Sequence, residues 1–237
     1  MRPEIDLRLG RYQDVLQDVQ QVDAVICDPP YSDRTHSAYC ADGEDGADGA
    51  DGADRKTIAY GSWSSADVAE FVASWSPRTR GWLCALTDSE LYPAFRDELR
   101  AAGRYVFAPI PLVSPGSAVR LSGDGPSSWT CWLVASRPST REFVKWGTLP
   151  GAYISPPGEK FVMGGKPLRA IGAVVRDYSR PGDLICDPCA GGATTLIAAA
   201  IEGRRAVGAE MDPVTHAKAM KRIARGYTPD MFSRAAE

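Results

Sequence analysis

No stretch of this chain approaches the roughly 18 to 20 consecutive apolar residues that a membrane-crossing helix needs. The longest candidate is the short run Leu196 to Ile201. The opening MRPEIDLRLG lacks the apolar centre of a secretory leader, so the chain is expected to stay in the cytoplasm, with no membrane partner. Histidine is nearly missing, at two residues (His36 and His216), and cysteine is sparse, at six in 237. Six cysteines are too few for a disulfide scaffold at this length, and Cys27, Cys84, Cys131 and Cys186 sit inside apolar runs; reduced thiols are expected. Cys186 and Cys189 form a lone C-x-x-C with no second pair to complete a metal centre, and no metal is expected. Neither G-x-G-x-x-G nor G-x-x-x-x-G-K-[ST] occurs, which disfavours a nucleotide-dependent oxidoreductase or a phosphate-binding loop.

What is present fits one soluble α/β domain over residues 1–237, with 44% apolar and 24% charged residues. The formal charge of -3 depends on one segment. Residues 41–54 read ADGEDGADGADGAD, an acidic low-complexity loop holding six acids (Asp42, Glu44, Asp45, Asp48, Asp51, Asp54) and no base. Removing those six from the 30 acids leaves 24 against 27 bases, a slightly basic body that could meet a polyanion. The D-G-A triplets have no side chain able to bury a core, and they lack the bulky apolar residues that a calcium-binding β-roll needs. A loop is the expectation.

Elsewhere β-branched runs alternate with helical patterns, the signature of a parallel sheet covered by helices. Strands are expected at Ile5 to Leu9, Val22 to Cys27, Gly81 to Leu86, Tyr105 to Ile110, Trp129 to Ala135, Asp183 to Cys186 and Arg205 to Ala209. Helices are expected at Tyr12 to Val19, Ala66 to Trp75, Ser89 to Ala102, Pro167 to Tyr178, Ala193 to Glu202 and Pro213 to Arg225, with Ser64 or Ser65 capping the second and Gly103 ending the third. Residues 138–165, rich in Pro, Gly and aromatics, read as an irregular insert.

Two strand ends carry chemistry. After VDAVIC comes Asp28-Pro29-Pro30-Tyr31, where ligands of open α/β sheets bind. The prolines fix a rigid turn, the Pro29 carbonyl and the Asp28 carboxylate can both accept from an NH2 group, and Tyr31 offers a flat face. That combination suits a flipped-out base with an exocyclic amine; a plain Pro-rich turn is the bland alternative. The second loop follows GDLIC: Asp187 closes the strand, Gly191 and Gly192 let backbone approach a ligand, and Thr194 and Thr195 open a helix whose free N–H groups suit a carboxylate. Glu210, at the end of RAVGAE, can accept from both ribose hydroxyls of an adenosine-bearing cofactor. Between the two, Lys166-Pro167 opens an amphipathic helix, and Lys166 could reach a cofactor carboxylate.

In this order of motifs the sequence resembles the exocyclic-amino DNA methyltransferases of the circularly permuted β group, over nearly its whole length. In that family D-P-P-Y comes first, then a target-recognition insert, a K-P helix, a D-P-F-x-G-S-G-T-type cofactor loop and an acidic partner strand. Here these correspond to Asp28 to Tyr31, residues 138–165, Lys166-Pro167, Asp187 to Thr195 and Glu210. Cys189 stands where the family has phenylalanine, Ala193 replaces its second glycine, and Gly10-Arg11 stands where members often show Gly-Asp.

The resemblance implies a Rossmann-like S-adenosylmethionine-dependent methyltransferase fold, circularly permuted, with a mostly parallel seven-stranded sheet and helices on both faces. It implies methyl transfer from S-adenosylmethionine to adenine N6 in DNA, with Asp28, Pro29, Pro30 and Tyr31 catalytic and Lys166, Asp187, Cys189, Gly191, Thr194, Thr195 and Glu210 at the cofactor. Cytosine N4 is the same-chemistry alternative, and a methyltransferase-like nucleic-acid-binding protein without catalysis is the alternative from another class. It further implies a bacterial or phage-encoded protein acting as a homodimer, within a restriction-modification system or as an orphan enzyme. Only residues 138–165 and the glycine-rich stretch 114–128 remain to read DNA, which makes Arg120, Arg137, Arg141, Lys145 and Lys160 the expected DNA-binding residues.

Overall fold

Alternating side chains decide the sheet. In β2 (Ala24–Cys27), Ala24 and Ile26 join one apolar cluster while Val25 and Cys27 join another. β3 (Leu83–Thr87) repeats the pattern, with Cys84 and Leu86 on the first side and Leu83 and Ala85 on the second. Strands apolar at every position are buried on both faces, as a parallel sheet covered by helices requires. The first face is covered by α5 (Leu168–Tyr178), α6 (Thr194–Ile201) and α7 (Pro213–Ala224). The second is covered by α1 (Tyr12–Val15), α3 (Ser65–Trp75) and α4 (Tyr92–Ala101).

The structure is a computed structural model that describes residues 4–40, 61–115, 129–140, 147–156 and 165–227. Among these residues the sheet has nine strands. Their order is β1 (Ile5–Leu9), β9 (Arg205–Glu210), β8 (Leu184–Asp187), β2, β3, β6 (Trp129–Pro138), β5 (Ile110–Ser114) and β7 (Tyr153–Ile154), with β4 (Arg104–Val106) also on β6. From β1 to β3 all neighbours are parallel; β6 runs antiparallel to β3, β4 and β5. From β8 the chain crosses through α6 to β9 on one side, and from β2 through α2 (Asp33–Cys40) and α3 to β3 on the other. Strand order therefore reverses between β8 and β2, where ligands of such sheets bind.

The sheet has nine strands where seven are expected. The single strand expected at Tyr105 to Ile110 is two, β4 and β5: the Phe107 amide still donates to the Ala135 carbonyl at 3.0 Å, but Ala108 and Pro109 interrupt the strand, and Pro109 has no N–H to contribute. The insert also contains β7, parallel to β5. The first helix stops at Val15, four residues early, and α2 is not among the expected helices. Ser64 caps α3 in a reciprocal arrangement with Asp67, and Gly103, at φ 76, follows the end of α4. Among the described residues no helix is long and apolar enough to cross a membrane. The acidic loop at 41–54 lies outside the described residues, as does half of the insert, residues 141–146 and 157–164.

Candidate active site

Four acids stand at the carboxyl ends of four adjacent parallel strands: Glu210 closes β9, Asp187 closes β8, Asp28 follows β2 and Asp88 follows β3. Asp28 is held through both carboxylate oxygens. The Tyr31 hydroxyl donates to Oδ1 at 3.0 Å and Lys166 Nζ donates to Oδ2 at 2.7 Å. The same ammonium lies 4.8 Å from the Tyr31 ring centroid. Burial, and then the charge of Asp28, push the Tyr31 hydroxyl well above its ordinary pKa, so it stays a donor. Tyr31 also lies against Cys131 of β6, whose thiol burial pushes up to about 11.

Asp88 organises the loop after Tyr31. Its Oδ2 accepts from the Ser32 amide at 3.0 Å, the Ser32 hydroxyl at 2.5 Å and the Thr35 hydroxyl at 2.6 Å; its Oδ1 accepts from the Leu91 amide at 3.0 Å. Burial alone would raise its pKa, but these bonds outweigh it and hold the carboxyl below the usual range. The Tyr31 carbonyl accepts from the Trp63 amide at 2.9 Å, so D-P-P-Y is anchored at backbone and side chain alike. Asp88 went unmarked in the sequence. The rule that singled out Asp28 and Asp187, an acid directly after an apolar parallel strand, applies equally to LCALT-Asp88.

The second loop is built by burial. Asp187 accepts from the Cys189 amide at 3.2 Å and bonds to the Thr195 hydroxyl and the Cys27 thiol, yet burial pushes its carboxyl up to about 7. Burial likewise raises Glu210, which accepts from the Asp212 amide at 2.7 Å and from the Gly191 amide. Gly191 has φ 51, and a Cβ there would meet nothing within 4 Å, so the loop is open on that side. At Gly208 in β9, by contrast, a Cβ would stand 2.6 Å from the Asp187 carbonyl; only glycine lets the two strand ends approach this closely. Ala193, which caps α6, is the only non-glycine residue with positive φ (60) among the described residues. Arg222 of α7, a residue that nothing in the sequence marked, donates to the Gly192 carbonyl at 2.6 Å and the Thr194 hydroxyl at 2.9 Å.

The structure thus gathers Asp28, Tyr31 and Lys166 into one cluster and Asp187, Cys189, Gly191, Thr194, Thr195 and Glu210 into a loop beside it. Pro29 and Pro30 form the turn between Asp28 and Tyr31. Lys166, expected toward a cofactor, is placed on Asp28. Arg137 is not brought to the site. It pairs with Tyr105 at the end of β6 opposite Trp132, the partner of Thr87, and its guanidinium lies 5.0 Å from the Tyr105 ring centroid and 5.6 Å from that of Phe107. Arg120, Arg141, Lys145 and Lys160 lie outside the described residues.

A DNA methylase family model matches residues 148–221, a span that includes Lys166, the β8 loop and Glu210 and stops short of Asp28. No curated protein sequence matches. Among solved structures, the M1.HpyAVI–SAM complex superposes with a TM-score of 0.67 at 17% identity, over 92% of this chain and 99% of that one. TTHA0409 of Thermus thermophilus, a candidate DNA modification methylase complexed with S-adenosyl-L-methionine, gives 0.64 at 21% identity, over 94% and 95%. The cytosine-N4-specific PvuII DNA methyltransferase gives 0.62 at 12% identity, over 99% and 95%. The chain therefore has the Rossmann-like α/β fold of S-adenosylmethionine-dependent methyltransferases.

Proposed function

We propose that this protein transfers the methyl group of S-adenosylmethionine to an exocyclic amine of a base in DNA, adenine N6 first. The observation that carries the reading is the pairing, at the switch point of the sheet, of an Asp-Pro-Pro-Tyr turn whose acid is fixed with a glycine loop bounded by two buried acids. The chain's own residues suit that cofactor. Glu210 keeps lone pairs for ribose hydroxyls, the space beside Gly191 is open, and the amides at the start of α6 favour a carboxylate. When bound, the cofactor supplies an electrophilic methyl group on a sulfonium.

The amine of a base is a weak nucleophile because its lone pair is delocalised into the ring. Asp28 and the Pro29 carbonyl accept its two hydrogens, draw the nitrogen toward tetrahedral geometry and localise that lone pair, while Tyr31 stacks the extruded ring. Once the amine carries its new methyl group, Asp28 would hold the hydrogen bond from its surplus proton until that proton passes to solvent. The motif order, with Asp28 before the Asp187 loop, supports the permuted form of the fold. The likeness to a cytosine-N4 enzyme over 99% of this chain favours N4 transfer as the second reading.

Labelled S-adenosylmethionine and unmethylated DNA, followed by nucleoside analysis, test both. N6-methyldeoxyadenosine is expected, and N4-methyldeoxycytidine would move the assignment to the second reading. Cofactor binding without transfer to any DNA would overturn the enzyme and leave a binding protein.

A further inference from the structure

We propose that Lys166 is a positioning residue for Asp28, fixing the carboxylate that receives the target amine. The proposal rests on the reading of Asp28 as that acceptor. Lys166 Nζ and the Tyr31 hydroxyl each take a different oxygen of Asp28, at 2.7 and 3.0 Å. A carboxylate otherwise turns freely about its last torsion, so two donors on opposite oxygens set its plane. Each oxygen has two lone-pair sites, and one on each is left to point toward an incoming NH2.

Burial gives the pair its direction. The Lys166 side chain is 7% exposed and that of Asp28 26%, so the cation is sealed in while the acid keeps an open side. An ammonium this far from water needs a paired carboxylate. Its backbone is equally fixed. Pro167, at φ -58, starts α5, its carbonyl accepts from the Ile171 amide at 3.1 Å, and Ile171, Val174, Val175 and Tyr178 anchor the helix in the core. With the ammonium also 4.8 Å from the Tyr31 ring, one cation holds both the acid and the stacking surface of the D-P-P-Y turn from 138 residues away in sequence.

Lys166→Met in the full chain separates this role from service to the cofactor. At saturating cofactor, kcat for methyl transfer is expected to fall at least tenfold, while the Kd for S-adenosylhomocysteine measured by calorimetry stays within twofold and the melting temperature within a few degrees. Lys166→Arg, which restores a cationic donor, is expected to recover part of kcat. A Kd weakened tenfold or more with kcat retained would place Lys166 on the cofactor and overturn the proposal, as would a Lys166→Arg variant no better than Lys166→Met. Should Lys166→Met fail to fold, Lys166→Gln takes the same measurements. If the unsubstituted chain methylates no DNA, the functional reading itself fails before any variant is compared, and the proposal falls with it.

Discussion

Two halves of one row of acids are surrounded differently at the same position in the fold. Asp28 and Asp88, beyond β2 and β3, are met by donors aimed at them: a lysine, a tyrosine, two hydroxyls and two amides. Asp187 and Glu210, closing β8 and β9, receive fewer bonds than their burial demands, and their carboxyls rise. Strand-end placement alone therefore does not fix what an acid is for. The balance between burial and the donors that the neighbouring loop supplies decides whether a carboxyl is held below its ordinary pKa, as at Asp88, or raised above it, as at Asp187.

The contrast between the halves meets its most severe test at Asp28. Asp28→Asn preserves shape and the bond from Tyr31 but removes the charge that Lys166 meets, and methyl transfer should fall at least about 100-fold. Cofactor affinity by calorimetry should change little, because the acids of the other half are intact. Next comes Asp88→Ala, which leaves Ser32, Thr35 and Leu91 without their acceptor and should cost about 2 to 4 kcal/mol in chemical denaturation. Because the folded pKa of Asp88 is depressed, its contribution is complete above the unfolded value of 3.8 and disappears as pH falls below it. The gap between Asp88→Ala and the parent should therefore narrow in acid.

Asp187 should behave in the opposite sense. Its folded pKa of about 7 lies above the unfolded 3.8, so the native state binds the extra proton between these values and loses stability as pH rises through that window. Asp187→Asn, which cannot ionise, should be more stable than the parent near about pH 8 by on the order of 2 kcal/mol and show no gain near about pH 4. A gain at both values would mean that the site is not governed by ionisation. The smallest change is expected at Ala193→Gly. Relief of the left-handed conformation is worth about 1 kcal/mol and the lost buried methyl costs about 0.8 kcal/mol, so the melting temperature should barely move.

Much of this was legible from residue order. Ile5–Leu9 follows from the alternation of apolar and charged residues in IDLRL, Arg205–Glu210 runs one residue beyond the expected Arg205 to Ala209, and the acids Asp28, Asp187 and Glu210 announce themselves by closing or following strand-like runs. What stayed hidden depends on tertiary approach. Nothing within the segment around Lys166 says that its ammonium meets an acid 138 positions away, and Arg222 looks like any helix cation until α7 folds back on the Gly192 carbonyl. Local pattern failed where proline or polar composition masked regular structure. Pro109 divides β4 from β5, and α2 begins Asp33-Arg34-Thr35-His36, with little apolar periodicity to betray it.

The row of strand-end acids also sorts approaching molecules by sign. Lys166 offsets one of the four charges, and protonation of Asp187 near neutrality removes part of another, so the four acids and Lys166 together stay negative on balance. A phosphodiester backbone is repelled there over roughly the 8 Å that physiological salt leaves unscreened, whereas a neutral ring or a cation is admitted. Under the proposed function, a DNA duplex is kept at the rim while a single uncharged base crosses. Added salt, which screens this repulsion, should then let the duplex approach the ledge more closely while altering less what happens once the base is inside.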